Sequence, residues 1–97
     1  MTTPAEPETA ARLRRALLAF QKAQGLLLST HRRLKDLPAE EVERFWATQG
    51  NRLERHARAA ATEVTAAFAV FSAAGLVAGA ADRHLVTEAR RSLEEGS

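Results

Sequence analysis

The sequence predicts an all-α fold, a long helical hairpin or small helical bundle with heptad-like seams, completed by self-association. Three observations carry this. Thr9, Leu13, Ala16, Phe20, Ala23, Leu27, Thr30, Leu34 and Leu37 follow one another at alternating steps of four and three. A second run with the same spacing comprises Trp46, Gly50, Leu53, Ala57, Ala60, Val64, Ala67, Phe71, Ala74, Ala78, Ala81 and Leu85. Such spacing keeps side chains on one stripe of an α-helix, and sustained over several heptads it calls for a helix packed along its length. The third observation is composition: Ala, Leu, Arg and Glu dominate, with 3 prolines and 5 glycines among 97 residues, as in extended helical proteins. So short a chain makes one domain and leaves helix surface uncovered, for which self-association is the natural remedy.

Residues 1–8 are proline-containing and acidic, without an apolar core. They read as a disordered tail and not as a secretory signal, which leaves residues 9–97 as a single helical domain. The first helix is expected from about Pro7 to Asp36. Asp36-Leu37-Pro38-Ala39-Glu40-Glu41 then reads as a stop and restart, because proline is tolerated in a first turn and acids suit its positive end. Asp36 is the better capping side chain, whereas Glu40 lies three after Leu37, so the choice of N-cap stays open between them. Beyond Pro38 the pattern is helical almost to the end. Gly50-Asn51 is one expected interruption, since glycine inside a helix costs about 1 kcal/mol relative to alanine. Asp82 is the other, as a cap for a last segment carrying Leu85, Ala89 and Leu93. An unbroken second helix would be roughly 87 Å long against roughly 43 Å for the first, so it must break or be covered by another chain.

The stretch from Ala59 to Ala81 contains one charge, Glu63, and is otherwise mostly Ala, Gly, Ser and Thr. Gly75 and Gly79 form a GxxxG pair, which permits close helix approach. Residues 64–81 are about the minimum length for a membrane span. Their six large apolar side chains supply only about 2 to 4 kcal/mol of insertion, so a small membrane protein spanning there is the weaker alternative and tight packing between helices the stronger. The interface for self-association and partner binding is accordingly expected on Ala60, Val64, Ala67, Phe71, Ala74, Gly75, Ala78 and Gly79. Glu63, on the flank of the seam, is expected to meet Lys22 or Arg15 of the first helix.

Catalytic and metal signatures are missing from the sequence. His31, His56 and His84 stand apart, no HExxH or ExxH occurs, and neither a nucleophile elbow nor a phosphate-cradling glycine loop is present. His84 and Glu88 share a helix face as an ordinary polar pair. No cysteine occurs, which rules out disulfides and thiolate metal sites. Neither enzyme activity nor a cofactor is therefore expected.

The net charge is +2, but it is unevenly placed. Between Glu8 and Asp36 there is no acid, against Arg12, Arg14, Arg15, Lys22, Arg32, Arg33 and Lys35. These side chains are candidates for anion or nucleic-acid contact. The simpler expectation is pairing with Glu40, Glu41, Glu43, Glu54 and Glu63, together with solvation. Trp46, with Phe45 and Val42, reads as a hydrophobic plug at one end of the bundle. A chain of this length, helical on both sides of a central tryptophan, superficially resembles the Trp-x-Gly family of small helical-hairpin secretion substrates. It departs from that family in having Gly50 four residues after Trp46, a turn at Pro38 and no tyrosine for an export signal, so membership is not assigned. The functional expectation is a non-enzymatic, cytoplasmic interaction module that binds itself and another protein: an adaptor, scaffold, chaperone or inhibitor. The alternative is a nucleic-acid-binding accessory protein using the basic first helix.

Overall fold

The computed structural model describes residues 6–95, and the side chains of residues 8–95. Helix α1 spans Glu6–Leu34 and α2 spans Ala39–Phe45; a π-helical segment, Trp46–Gly50, leads into α3 at Asn51–Ala73, and α4 spans Ala80–Glu95. Because α2, the π segment and α3 are continuous, the described residues form three helical rods without a strand, 60 × 22 × 21 Å in extent. The first five residues of the expected tail lie outside the described residues, and 6–8 already belong to α1.

The turn falls where the sequence places it, with a different cap. Pro38 itself holds the N-cap position of α2, with φ −57° and ψ 146°, and its carbonyl accepts from the N–H groups of Glu41 and Val42 at 3.0 and 3.1 Å. Neither Asp36 nor Leu37 caps the helix. Proline suits the position because it lacks a donor and its fixed φ is compatible with extended entry. Glu40 and Glu41 fill the first turn, where the helix dipole favours negative charge.

Gly50 does not interrupt the second rod, for both it and Asn51 are helical (φ −62° and −59°). The extra residue of the π segment widens the helix there. Trp46 lays its indole across Gly50, where a Cβ would meet the indole Cδ2 at 2.7 Å. Asp82 caps nothing either; it sits inside the first turn of α4. The break lies between them, at Gly75, where φ is positive (+81°). The Gly75 N–H donates to Ser72 O at 2.9 Å and the Leu76 N–H to Phe71 O at 3.3 Å, which is the paired 5→2 and 6→1 closure of a Schellman motif. Glycine is needed because the left-handed conformation is strained for a residue carrying Cβ. The GxxxG pair therefore ends a helix instead of packing two together: a Cβ on Gly75 or Gly79 would meet nothing within 4 Å. The same break divides residues 64–81, and among the described residues no helix is long and apolar enough to cross a membrane.

With its turn at 35–38, the hairpin packs α1 antiparallel to α3, seam on seam. Leu13, Ala16, Leu17 and Phe20 meet Ala61, Val64, Ala67 and Phe71, and α4 adds Val86 and Ala89 to the same core. Alanines at Ala61, Ala67 and Ala89, all 0 % exposed, let the three helices come close, while Phe20 and Val64 fill the space between. Each fully buried large side chain contributes about 1.5 to 3 kcal/mol. Thr30, also buried, satisfies its hydroxyl on the Leu26 carbonyl at 2.7 Å. The chain reverses at Gly75, so α4 starts beside Leu13 and Phe71 and brings Ser92 to Gln24, Leu27 and Ala57. It covers the hairpin from its open end to the middle and stops short of the α1–α2 turn.

This arrangement uses up much of the stripe on which self-association was expected. Val64, Ala67, Phe71 and Ala78 are buried in the chain's own core, Ala60 is half-buried, and Ala74, Gly75 and Gly79 are exposed in the α3–α4 connection. The seam's partner is the first helix of the same chain. A second copy could take that place only by displacing it.

Candidate partner-binding groove

α4 packs more extensively on α3 than on α1. The lean opens a groove of about 590 Å³ between α1 and α4, lined by Phe20, Gln21, Gln24, Gly25, Leu27, Leu28 and His31 on one side and His84, Leu85 and Glu88 on the other. Its position follows from helical spacing. Gln21, Gly25 and Leu28, followed by Arg32 and Lys35, recur at steps of four and three, beside the seam but rotated off it. Leu28 is 55 % exposed, a large apolar group only partly covered by its own chain. Gly25 is in the middle of α1, yet a Cβ there would meet nothing within 4 Å. Nothing in the chain's own packing demands a glycine, while its cost in a helix interior is about 1 kcal/mol. Close approach of another backbone is the situation in which a bare helix surface is useful.

The groove runs toward an aromatic cluster at the hairpin tip. His31 lies on Trp46 with ring centroids 4.6 Å apart, and Phe45 meets the same indole edge-on at 5.3 Å. Val42, Phe45 and Trp46 are half-buried, so the expected plug exists but one side of it is open. The His31 contact could have been read from the sequence. Numbering back from the turn, an antiparallel hairpin sets His31 opposite the middle of the 40s.

The electrostatics differ from expectation. Arg12 forms a two-pronged contact with Glu63, Nε to Oε2 and Nη2 to Oε1, both at 2.9 Å. Lys22 is not the partner of Glu63, and Arg15 acts on it only through longer-range attraction. The hydrogen bonds from Arg12 hold the Glu63 carboxyl below its ordinary pKa, against partial desolvation, and Glu63 in turn raises that of Arg12. Among the described residues Arg14, Arg15, Lys22, Arg32, Arg33 and Lys35 have no carboxylate partner, and Glu40, Glu41, Glu43 and Glu54 have no cation. Among the described residues, the intramolecular neutralisation expected for α1 thus comes to the Arg12–Glu63 pair. His84 lies 3.9 Å from Glu88, whose nearer contact is Arg91 at 3.2 Å. No group of three or more potential metal ligands gathers among the described residues.

No family model, curated protein or solved structure matches the chain. The groove residues Gln21, Gln24, Gly25 and Leu28 escape a reading based on seams, because a seam identifies the face a helix buries; Leu85, on the opposite wall, belongs to the second seam. The available signal is Gly25 and Leu28, three apart beside the seam, a glycine and a leucine that do not belong to the core.

Proposed function

We propose that the chain is a non-enzymatic protein-interaction module that receives a helix of another protein in the groove between α1 and α4. The observation carrying this reading is an apolar groove left open by the chain's own packing, with Leu28 exposed in its wall and Gly25 bare beside it. A helix presenting apolar anchors at i, i+3, i+4 and i+7 is the ligand that such a groove suits. Glutamine at positions 21 and 24 and the charge on Glu88 would give polar rim contacts around the apolar centre. The test is capture on immobilised chain, comparing wild type with Leu28→Glu. A specific protein retained through molar salt by the wild type and lost with the variant supports the groove, since apolar burial is insensitive to salt. Equal retention by both removes it.

A second reading, nucleic-acid binding, is favoured by the uncompensated cations of α1. Phosphate contacts give affinity that falls steeply with salt. Replacing Arg14, Arg15, Arg32 and Arg33 together with Gln, and measuring binding to duplex DNA at physiological salt, separates the two. Tight wild-type binding abolished in the quadruple variant would promote this reading over the groove.

A further inference from the structure

The side of α1 turned away from the core has a pattern of its own. Arg15, Leu18, Lys22, Leu26, Ser29 and Arg33 follow one another at steps of three and four. At about 100° per residue they fall within about 80° of the helix circumference, on the far side from the buried Leu13, Ala16 and Phe20. All six are exposed, so accessibility and spacing agree on one face. Cation and leucine alternate along it from Arg15 to Arg33, over about 27 Å. Leu18 is 51 % exposed and Leu26 44 %. Arg14 and Arg32, also exposed, flank the stripe on the edge nearer the groove. Among the described residues none of these cations has a carboxylate partner, and the nearest acid along the stripe, Glu8, stands two turns before Arg15.

We propose that this face lies on an anionic lipid surface, with Leu18 and Leu26 dipping below the headgroups and the cations on the lipid phosphates. The alternation is what selects this occupant. A partner helix packs through anchors on successive turns, and the turn between Leu18 and Leu26 carries Lys22, whose charge such an interface would have to desolvate. In a headgroup layer the lysine stem lies along the leucines while its ammonium stays with the phosphates. Nucleic acid would engage the cations and leave both leucines against phosphate and water. A layer of anionic lipid takes both kinds of side chain at once. The helix would lie on the surface and not across it, in keeping with the absence, among the described residues, of any helix able to cross a membrane. The stripe shares no residue with the α1–α4 groove, so the two readings stand or fall independently.

Co-sedimentation with unilamellar vesicles tests it. Vesicles of equal parts phosphatidylglycerol and phosphatidylcholine should retain wild type, pure phosphatidylcholine should not, and added salt should release the bound chain. Each cation removed should lower partition about fivefold, so Arg15→Gln with Lys22→Gln and Arg33→Gln should lower it about a hundredfold. Leu18→Ser with Leu26→Ser should lower it about tenfold and leave binding to heparin unchanged, which separates lipid from polyanions in general. Circular dichroism of both variants should match wild type, because the five replaced side chains are exposed. The lipid contact is refuted if wild type ignores the mixed vesicles or binds pure phosphatidylcholine equally well. It is refuted too if the leucine variant binds the mixed vesicles as wild type does, which would reduce the contact to charge alone. Preference of wild type for duplex DNA over the mixed vesicles would hand the face to nucleic acid. Vesicle binding lost with Leu37→Ser and Phe45→Ser but kept in the leucine variant would place the hairpin tip, and not α1, in the lipid.

Discussion

The two ends of this hairpin are built from the same kinds of helix and differ in how they are closed. At the body end, α4 completes a three-helix core in which Ala61, Val64, Ala67 and Ala89 are inaccessible and Phe20 is 1 % exposed. At the tip, α1 faces α2 and the π segment alone, and its largest groups, Val42, Phe45 and Trp46, are only half-buried. A third helix is what converts a seam into a core. Where it is missing, the same stripe becomes surface that another molecule can use. The packed core is therefore concentrated at one end of a short chain, and the other end is left partly open.

The comparison can be broken most directly by truncating one aromatic at each end. Phe20→Ala should cost about 3 to 5 kcal/mol, the range for a buried aromatic, and leave a chain of this size marginal or unfolded. Trp46→Ala, at the half-open tip, should cost about 1 to 2 kcal/mol. Chemical denaturation monitored by circular dichroism measures both, and equal losses would erase the distinction. A pair of alanine substitutions sharpens it with the opposite change in volume. Ala67→Leu overfills the closed core and should destabilise by about 1 to 3 kcal/mol, whereas Ala47→Leu, on exposed helix near the tip, should stay within about 0.5 kcal/mol.

Much of this architecture is legible in the sequence, and the misreadings have definite causes. Alternating four-three spacing located both seams, and Pro38 located the turn, because hydrophobic period and proline sterics are local properties. The chain break was placed at Gly50 or Asp82 when it lies at Gly75. Glycine among alanines reads equally as a close-packing motif and as a left-handed helix end, and only the Ser72 and Phe71 carbonyls that close the turn decide between them. Gly50 is retained for a different reason, the indole of Trp46 lying over it. The Glu63 partner was placed at Lys22 or Arg15 and is Arg12, because periodicity fixes a face and leaves axial register to the loop. Whether the alanine stripe meets its own chain or another is likewise absent from spacing alone. Leu28 and Gly25, the centre of the proposed groove, were missed because they lie on neither seam.

Smaller effects probe the open surface and the flank of the hairpin. Gly25→Ala should raise stability by up to about 1 kcal/mol, or roughly 4 to 8 °C in Tm for a domain of this size, while weakening any partner that approaches the bare helix. A rise in Tm without loss of binding would show that Gly25 has no part in the groove. Glu63→Gln should have the smallest effect, since the carboxylate is 47 % exposed. Its folded pKa is lowered by Arg12, so its contribution is present at neutral pH. That contribution is lost as pH falls from the ordinary glutamate value of about 4.3 through the folded one. Melting curves across that acid window should show a wild-type decline that is shallower in the variant. Parallel curves would mean that the Arg12–Glu63 contact adds nothing to folding.

The division between a closed body and an open tip is tested most directly by native-state amide hydrogen exchange. Amides within residues 13–23 and 61–71, which flank the three-helix core, should exchange only through global unfolding and share one free energy of opening. Those of residues 39–50 should exchange through local opening at distinctly lower free energy. A single, uniform protection level along both rods would contradict the account, because it would mean that the tip is as firmly held as the body it extends from.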